Sequence, residues 1–158
     1  MRVELPADGP EVELGLVGAV AAADAVERWL DLSAQVRWPH EVLVNRKPVA
    51  WAQSGGGALG VAVDLDALRR ADGVAREEAS LRPALEAALE RALSEWESGG
   101  LDALYERLGP RDFLRGRRVV VDAAVGTAVQ VDRRGRLEVR LDDGAHRLLQ
   151  SGEVTYER

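Results

Sequence analysis

The stretch of sequence that decides the fold covers residues 36–50 and reads VRWPHEVLVNRKPVA. Short runs in it and just after it are rich in β-branched and aromatic residues, and each predicts a strand: 36–38, 42–44 and 48–52. Pro39 and the Asn45-Arg46 pair separate these runs and predict turns. Gly55-Gly56-Gly57 gives a further turn before a buried strand at 58–65. The region therefore predicts a meander of three or four strands.

A helix precedes this meander. Between residues 12 and 30, apolar side chains recur at spacings of three and four, which is the pattern of one helix face: Val12, Leu16, Ala19, Ala23, Val26 and Leu30. Gly15 and Gly18 lie within it and permit close packing on a sheet. Residues 2–5 could form a short strand that ends at Pro6.

Helical signals return after the meander. Ser80 is a plausible N-cap, Pro83 fits a first turn, and Gly99-Gly100 ends a pattern of apolar residues that runs to Trp96. A short third helix follows and stops at Gly109-Pro110.

Beyond Leu114 the pattern is all-β, with short runs separated by turn signals: 117–122, 127–131, 136–141 and 146–149. These runs resemble a small SH3-like barrel. We expect an α+β protein with a mixed sheet plus helices in residues 1–113 and this barrel in residues 114–158.

Composition excludes several classes of function. The 158 residues carry a net charge of −6, and an acidic surface disfavours general nucleic-acid binding. Cysteine is absent, which excludes disulfides, thiolate zinc sites and cysteine nucleophiles. No segment reads as a secretion signal or a membrane span, so we expect a cytoplasmic protein without membrane contact.

Lys47 is the one lysine among 21 basic residues. Together with Arg37, Trp38 and Glu41 it would place two cations, an aromatic ring and a carboxylate at neighbouring strands. Such a group could hold an anionic ligand with an apolar body. An ordinary hairpin explains the same residues almost as well.

Residues 36–50 resemble the hallmark of biotin–protein ligases, which is Lys-Trp-Pro-Asn-Asp, a short strand, and a Lys-leading strand that ends in Ala-Gly. The likeness continues at residues 60–65, at Ala79-Ser80-Leu81, and over residues 116–156. The resemblance implies part of a class-II-synthetase-like catalytic domain followed by the barrel. The family's Arg-Gly-rich loop lies upstream of the aligned helix, and only 11 residues precede Val12, so we expect its N-terminal part to be missing.

The resemblance also implies a chemistry. Those ligases condense biotin and ATP to biotinoyl-AMP and transfer biotin to a lysine of a carrier protein. By alignment, Lys47 and Arg37 would be catalytic, and substrate or nucleotide contacts would come from Trp38, His40, Glu41 and Asp64. ATP, Mg²⁺ and biotin are implied by the resemblance alone, and the sequence holds no metal motif of its own.

Several substitutions depart from the family pattern. Arg37, His40 and Glu41 stand where the family has Lys, Asn and Asp, and Asp64 replaces Asn. Trp51 replaces the Gly that lets the backbone lie against biotin. We expect its indole to occupy or cap the biotin space, on the same face of the strand as Val49 and Lys47.

Two functions remain open from the sequence. One is a biotin–protein ligase that is incomplete or degenerate on its own, with a biotin carrier protein as a possible partner. The other is a non-catalytic interaction or regulatory protein that retains the ligase fold. In either case an uncovered sheet predicts a homodimer, or a complex with a chain supplying the missing half, through residues 36–65.

Overall fold

The computed structural model describes residues 1–73, 77–152 and 154–156. Its first sheet has five strands in the order β1-β5-β4-β3-β2: β1 Arg2–Pro6, β2 Ala34–Arg37, β3 Glu41–Val44, β4 Lys47–Gly55 and β5 Ala58–Val63. Every pair of neighbouring strands is antiparallel. The predicted meander and N-terminal strand are confirmed, and the described sheet is antiparallel throughout rather than mixed.

One helix covers one face of this sheet. α1 spans Glu11–Leu30 and is buried along almost its whole length. It packs between the sheet and a second long helix, α3, which spans Glu78–Gly99. A Cβ on Gly18 would lie 2.6 Å from the Cβ of Ala52, so this glycine allows the helix to approach β4 closely. The burial of α1 on both sides explains why its sequence is rich in alanine as well as in spaced apolar residues.

The sequence did not predict α2, which spans Leu65–Asp72 directly after β5. Its N-cap is Asp64, whose carboxylate accepts a hydrogen bond from the backbone N–H of Ala67 at 2.9 Å. After α3 the chain forms a 3₁₀ turn at Gly100–Leu104, the one-turn helix α4 at Tyr105–Leu108, and a second 3₁₀ turn at Gly109–Arg111.

The second sheet forms after Arg111. Its strands lie in the order β10-β6-β7-β8-β9, all antiparallel: β6 Arg118–Val121, β7 Ala124–Val131, β8 Leu137–Leu141, β9 His146–Leu149 and β10 Thr155–Tyr156. We call it the C-terminal sheet. Glu153, part of the resemblance over residues 116–156, lies outside the described residues. The α+β class is confirmed.

Hydrogen bonds join the C-terminal sheet to the rest of the molecule. The indole N–H of Trp38 donates to the carbonyl of Gly135 at 2.8 Å, and this bond is buried. The backbone N–H of Phe113 donates to the carbonyl of Val36 at 2.9 Å. Tyr105 donates its hydroxyl to the carbonyl of Val131 at 2.8 Å. Buried apolar side chains from both sheets also belong to one continuous core.

Among the described residues, no helix combines the length and the apolar composition that crossing a bilayer requires.

Candidate functional site

A cleft of about 550 Å³ lies between the first sheet and the C-terminal sheet. Its walls come from three parts of the chain: the start of α1 (Glu11, Val12, Gly15), the β2–β3 turn and β4 (Pro39, His40, Trp51, Ala52, Gln53, Ser54), and the segment directly after β9 (Gln150, Ser151, Gly152). We call it the Trp51 cleft. It combines apolar walls with side chains that donate and accept hydrogen bonds.

The difference in length between β3 and β4 creates this cleft. The ladder between them ends at the pair Glu41–Trp51, and one further bond links the N–H of Ala52 to the carbonyl of His40 at 2.9 Å. Beyond Ala52, β4 continues to Gly55 with β5 on one side and no described strand on the other. The backbone of 53–55 therefore forms an open edge of the sheet beside the cleft.

Trp51 stands on the face of the sheet that points away from α1. Its neighbours Ala50 and Ala52 are buried on the α1 side, and alternation along the strand places the indole on the other side. The indole is 41% exposed. It forms a wall of the cleft and does not fill a closed pocket.

Lys47 lies elsewhere, because β4 contains a bulge. Ala50 pairs with Val42 while Pro48 pairs with Leu43, so Val49 is an extra residue in the strand. An inserted residue reverses the alternation of side chains on its two sides. The prediction that Lys47 and Trp51 share a face is therefore wrong. Lys47 instead lines a separate cavity of about 230 Å³, beside Asp64 and Arg70.

Arg37 and Glu41 form an ion pair with each other across the β2–β3 turn, and each side chain is about one quarter exposed. The guanidinium of Arg37 also lies 5.5 Å from the ring centroid of Tyr156 in the C-terminal sheet. The positive charge of Arg37 is thus already balanced by a carboxylate of its own hairpin.

Trp38 and Asp64 each make a hydrogen bond that stabilises the fold. Trp38 is only 3% exposed, and its one hydrogen-bond donor is used by the carbonyl of Gly135. Asp64 is occupied as the N-cap of α2. Of the predicted site residues, His40 and Trp51 are the two that the structure brings together in the Trp51 cleft.

Glu41, which the resemblance assigns to substrate or nucleotide contacts, is not placed to hold the Mg²⁺ that the resemblance also implies. Glu41 is engaged by Arg37. In the part of the chain that the structure describes, no three His, Cys, Asp or Glu side chains gather as metal ligands would.

Sequence reasoning missed Glu11, Gln53, Ser54 and the residues 150–152 of the cleft. They come from three segments that are far apart in the sequence, and no local pattern shows that these segments meet. Ser151-Gly152 carried a turn signal and lay in the stretch that resembles the family, but neither observation placed these residues at a cleft.

Several solved structures share the backbone of this chain. The biotin protein ligase from Aquifex aeolicus is similar with a TM-score of 0.85 at 13% identity, over 99% of this chain and 81% of that chain. The ligase from the same organism in complex with biotin and ATP gives 0.82 at 14% identity, over 99% and 78%. A biotin protein ligase-like protein of unknown function from Silicibacter sp. gives 0.73 at 14% identity, over 94% and 76%.

Comparisons of sequence add nothing to this likeness, since no protein-family model and no curated protein matches. At 13–14% identity the similarity establishes the fold alone. The expected biotin-ligase-like fold is confirmed.

Proposed function

We propose that this chain, which has the fold of biotin protein ligases, is a cytoplasmic interaction protein whose own residues do not activate biotin. The observation that carries the proposal is the separation of the two predicted catalytic cations. Arg37 is paired with Glu41, and Lys47 lies beyond a strand bulge, on the opposite face from Trp51 and in a different cavity.

The family's chemistry explains why this separation matters. Forming biotinoyl-AMP brings a carboxylate up to an anionic phosphate, so cations must converge on the point where negative charge accumulates. A cation that is neutralised by its neighbour, and a second one on another face, cannot act together on one phosphorus centre. The substitution of Gly by Trp51 supports the same conclusion, because a ring occupies the surface where a bare backbone would contact biotin.

The Trp51 cleft supports an interaction role. Trp51 is one of three large hydrophobic side chains that are exposed among the described residues; the others are Val125 and Leu148. It lines the cleft and stands beside an open sheet edge at 53–55, whereas Leu148 lies on the edge strand β9 outside the cleft lining. An aromatic anchor next to unpaired strand backbone is the arrangement that a partner strand uses when it extends a sheet. The occupant we propose is a second copy of this chain.

Sedimentation equilibrium at micromolar concentration tests the proposal. We expect a dimer for the unmodified chain and a monomer for Trp51→Ser. Val125→Ser is the matched control, because Val125 is 38% exposed, lies on β7 between two neighbouring strands, and does not line the cleft. A monomeric unmodified chain, or equal loss of dimer in both variants, would contradict the proposed interface.

The alternative function is catalysis completed by a second chain, with a biotin carrier protein as the final acceptor. The observation that favours it is the survival of Lys47 as the one lysine in the sequence. Under this alternative, Lys47→Ala would abolish biotin transfer in the assembled complex, whereas our proposal predicts no transfer to abolish.

A further inference from the structure

A second cleft, of about 530 Å³, lies between α4 and the turn that joins β7 to β8. Its lining includes Arg115, Arg133, Arg134 and Arg136, together with Tyr105 and Asp132. We call it the arginine cleft. It shares no lining residue with the Trp51 cleft, and none of its arginines belongs to the predicted ligase site.

Three of these arginines, Arg133, Arg134 and Arg136, lie in the turn between β7 and β8. The carboxylate of Asp132 accepts hydrogen bonds from the backbone N–H groups of Arg134 and Arg136, each at 2.9 Å. Gly135 completes the turn with a φ of 80°, a backbone conformation that favours glycine. A Cβ at Gly135 would also lie 3.0 Å or less from side chains of Leu16 and Leu101, so the turn is pressed against the core.

Neighbouring groups hold the guanidinium groups in place. Arg136 donates to Asp132 at 2.8 Å. Arg133 lies 4.5 Å from the ring centroid of Tyr105 and donates to Asp102 at 3.0 Å. Arg115 donates to Gln130 at 3.2 Å. A guanidinium has five N–H groups, so each of these contacts leaves most of its donors available while limiting the motion of the side chain.

The arginine cleft is rich in positive charge, whereas the chain as a whole is acidic. Four guanidinium groups lie close to two carboxylates, since Arg136 pairs with Asp132 and Arg133 with Asp102, in a protein whose net charge is −6. Like charges gathered in one cleft repel each other, and a bound anion relieves that repulsion. We propose that the arginine cleft binds an oligophosphate, either as a free inorganic chain or as the phosphate tail of a nucleotide.

Several guanidinium groups in one cleft favour a ligand with several linked phosphate groups. The fork of a guanidinium matches two oxygens of one phosphate group, and several forks match a chain of such groups. Arg133 already covers one face of Tyr105, so that face of the ring is not open for stacking by a base. The acidic surface elsewhere disfavours an extended nucleic acid, which needs basic contacts along its length. Recognition therefore rests on phosphate groups.

Calorimetry of the full chain at low ionic strength tests this inference. We expect tripolyphosphate to bind at least about tenfold more tightly than orthophosphate, since each added charge-assisted contact contributes to affinity. ATP should match tripolyphosphate if a nucleotide tail is accepted, and ATP should fail to bind if only free oligophosphate fits. Adenosine should not bind in either case.

Variants localise the binding. Arg115→Gln with Arg134→Gln removes two exposed cleft charges, and we expect it to weaken tripolyphosphate binding at least about tenfold. The matched control is Arg69→Gln with Arg140→Gln, two exposed arginines outside the cleft, with affinity within about twofold of the unmodified chain. No binding at millimolar tripolyphosphate, equal weakening in both variants, or binding of a poly-glutamate peptide instead would overturn the inference. Dimerisation through Trp51 is a separate readout that the cleft variant should leave unchanged.

Discussion

The bond between Trp38 and Gly135 gives the sharpest test of how this fold is held together. By resemblance Trp38 would lie beside a nucleotide, yet here it is 3% exposed, and its indole N–H donates to a carbonyl 97 residues away at 2.8 Å. We therefore expect Trp38→Phe to destabilise the whole molecule. It removes the donor while keeping an aromatic ring in the core.

The magnitude follows from what the variant leaves behind. The carbonyl of Gly135 would remain buried without a partner, which costs about 1–3 kcal/mol. Replacing an indole by a smaller phenyl ring leaves a void, which adds about 1 kcal/mol. The sum is about 2–4 kcal/mol in the free energy of unfolding. With a urea m value of about 2 kcal/mol/M, the midpoint of unfolding would fall by about 1–2 M.

Urea unfolding followed by circular dichroism measures this shift. Trp51→Phe is the matched control when both variants are measured at a concentration low enough for the chain to be monomeric, because the same chemical change at a side chain that is 41% exposed in the single chain should shift the free energy by less than about 0.5 kcal/mol. Equal small shifts in the two variants would refute the argument that Trp38 joins the two sheets, and would return it to the set of ligand-binding candidates.

Three further outcomes follow from the structure. We expect no measurable biotin binding by the unmodified chain in calorimetry, and weak binding by Trp51→Gly if a pocket lies behind the ring. Adding Lys47→Ala should leave that binding unchanged, because Lys47 is on the other face of β4; loss of binding would contradict the bulge argument. Burial raises the pKa of the Asp112 carboxyl, despite a hydrogen bond from the N–H of Val131. The native state therefore holds this proton to higher pH than the unfolded chain does, and the stability it contributes is complete below the ordinary Asp pKa and lost as pH rises through the raised value. In thermal melts, the melting temperature of Asp112→Asn should therefore rise relative to that of the unmodified chain as the pH increases from acidic to neutral. A difference in melting temperature that stays constant across this range would refute the assignment.

Much of the fold could be predicted from local sequence. The spaced apolar residues between Val12 and Leu30 predicted α1, and the turn signals at Pro39 and Asn45-Arg46 predicted where β2, β3 and β4 are separated. These elements follow from periodicity and turn chemistry, which act over a few residues. By contrast α2 is short and polar, with one fully buried residue, Leu68, so its apolar pattern was too weak to detect.

The candidate site was harder to predict because it depends on register and on distant segments. Residues 47–52 alternate in a way that looks regular, and nothing local shows that Val49 is an extra residue in the pairing with β3. The pairing of Arg37 with Glu41 depends on two strands that fold back on each other. The walls of the Trp51 cleft at residues 150–152 come from the segment after β9, whose position depends on how the C-terminal sheet packs against the rest of the molecule.

The central claim is that a ligase fold is present here without a working ligase site. Single-turnover formation of biotinoyl-AMP from labelled ATP and saturating biotin tests it most directly, with an active biotin protein ligase as the positive control. We expect no biotin-dependent adenylate above background for the unmodified chain. Adenylate formed at a rate comparable to that of the control enzyme would contradict the claim, and would show that Lys47 and Arg37 act together despite their positions.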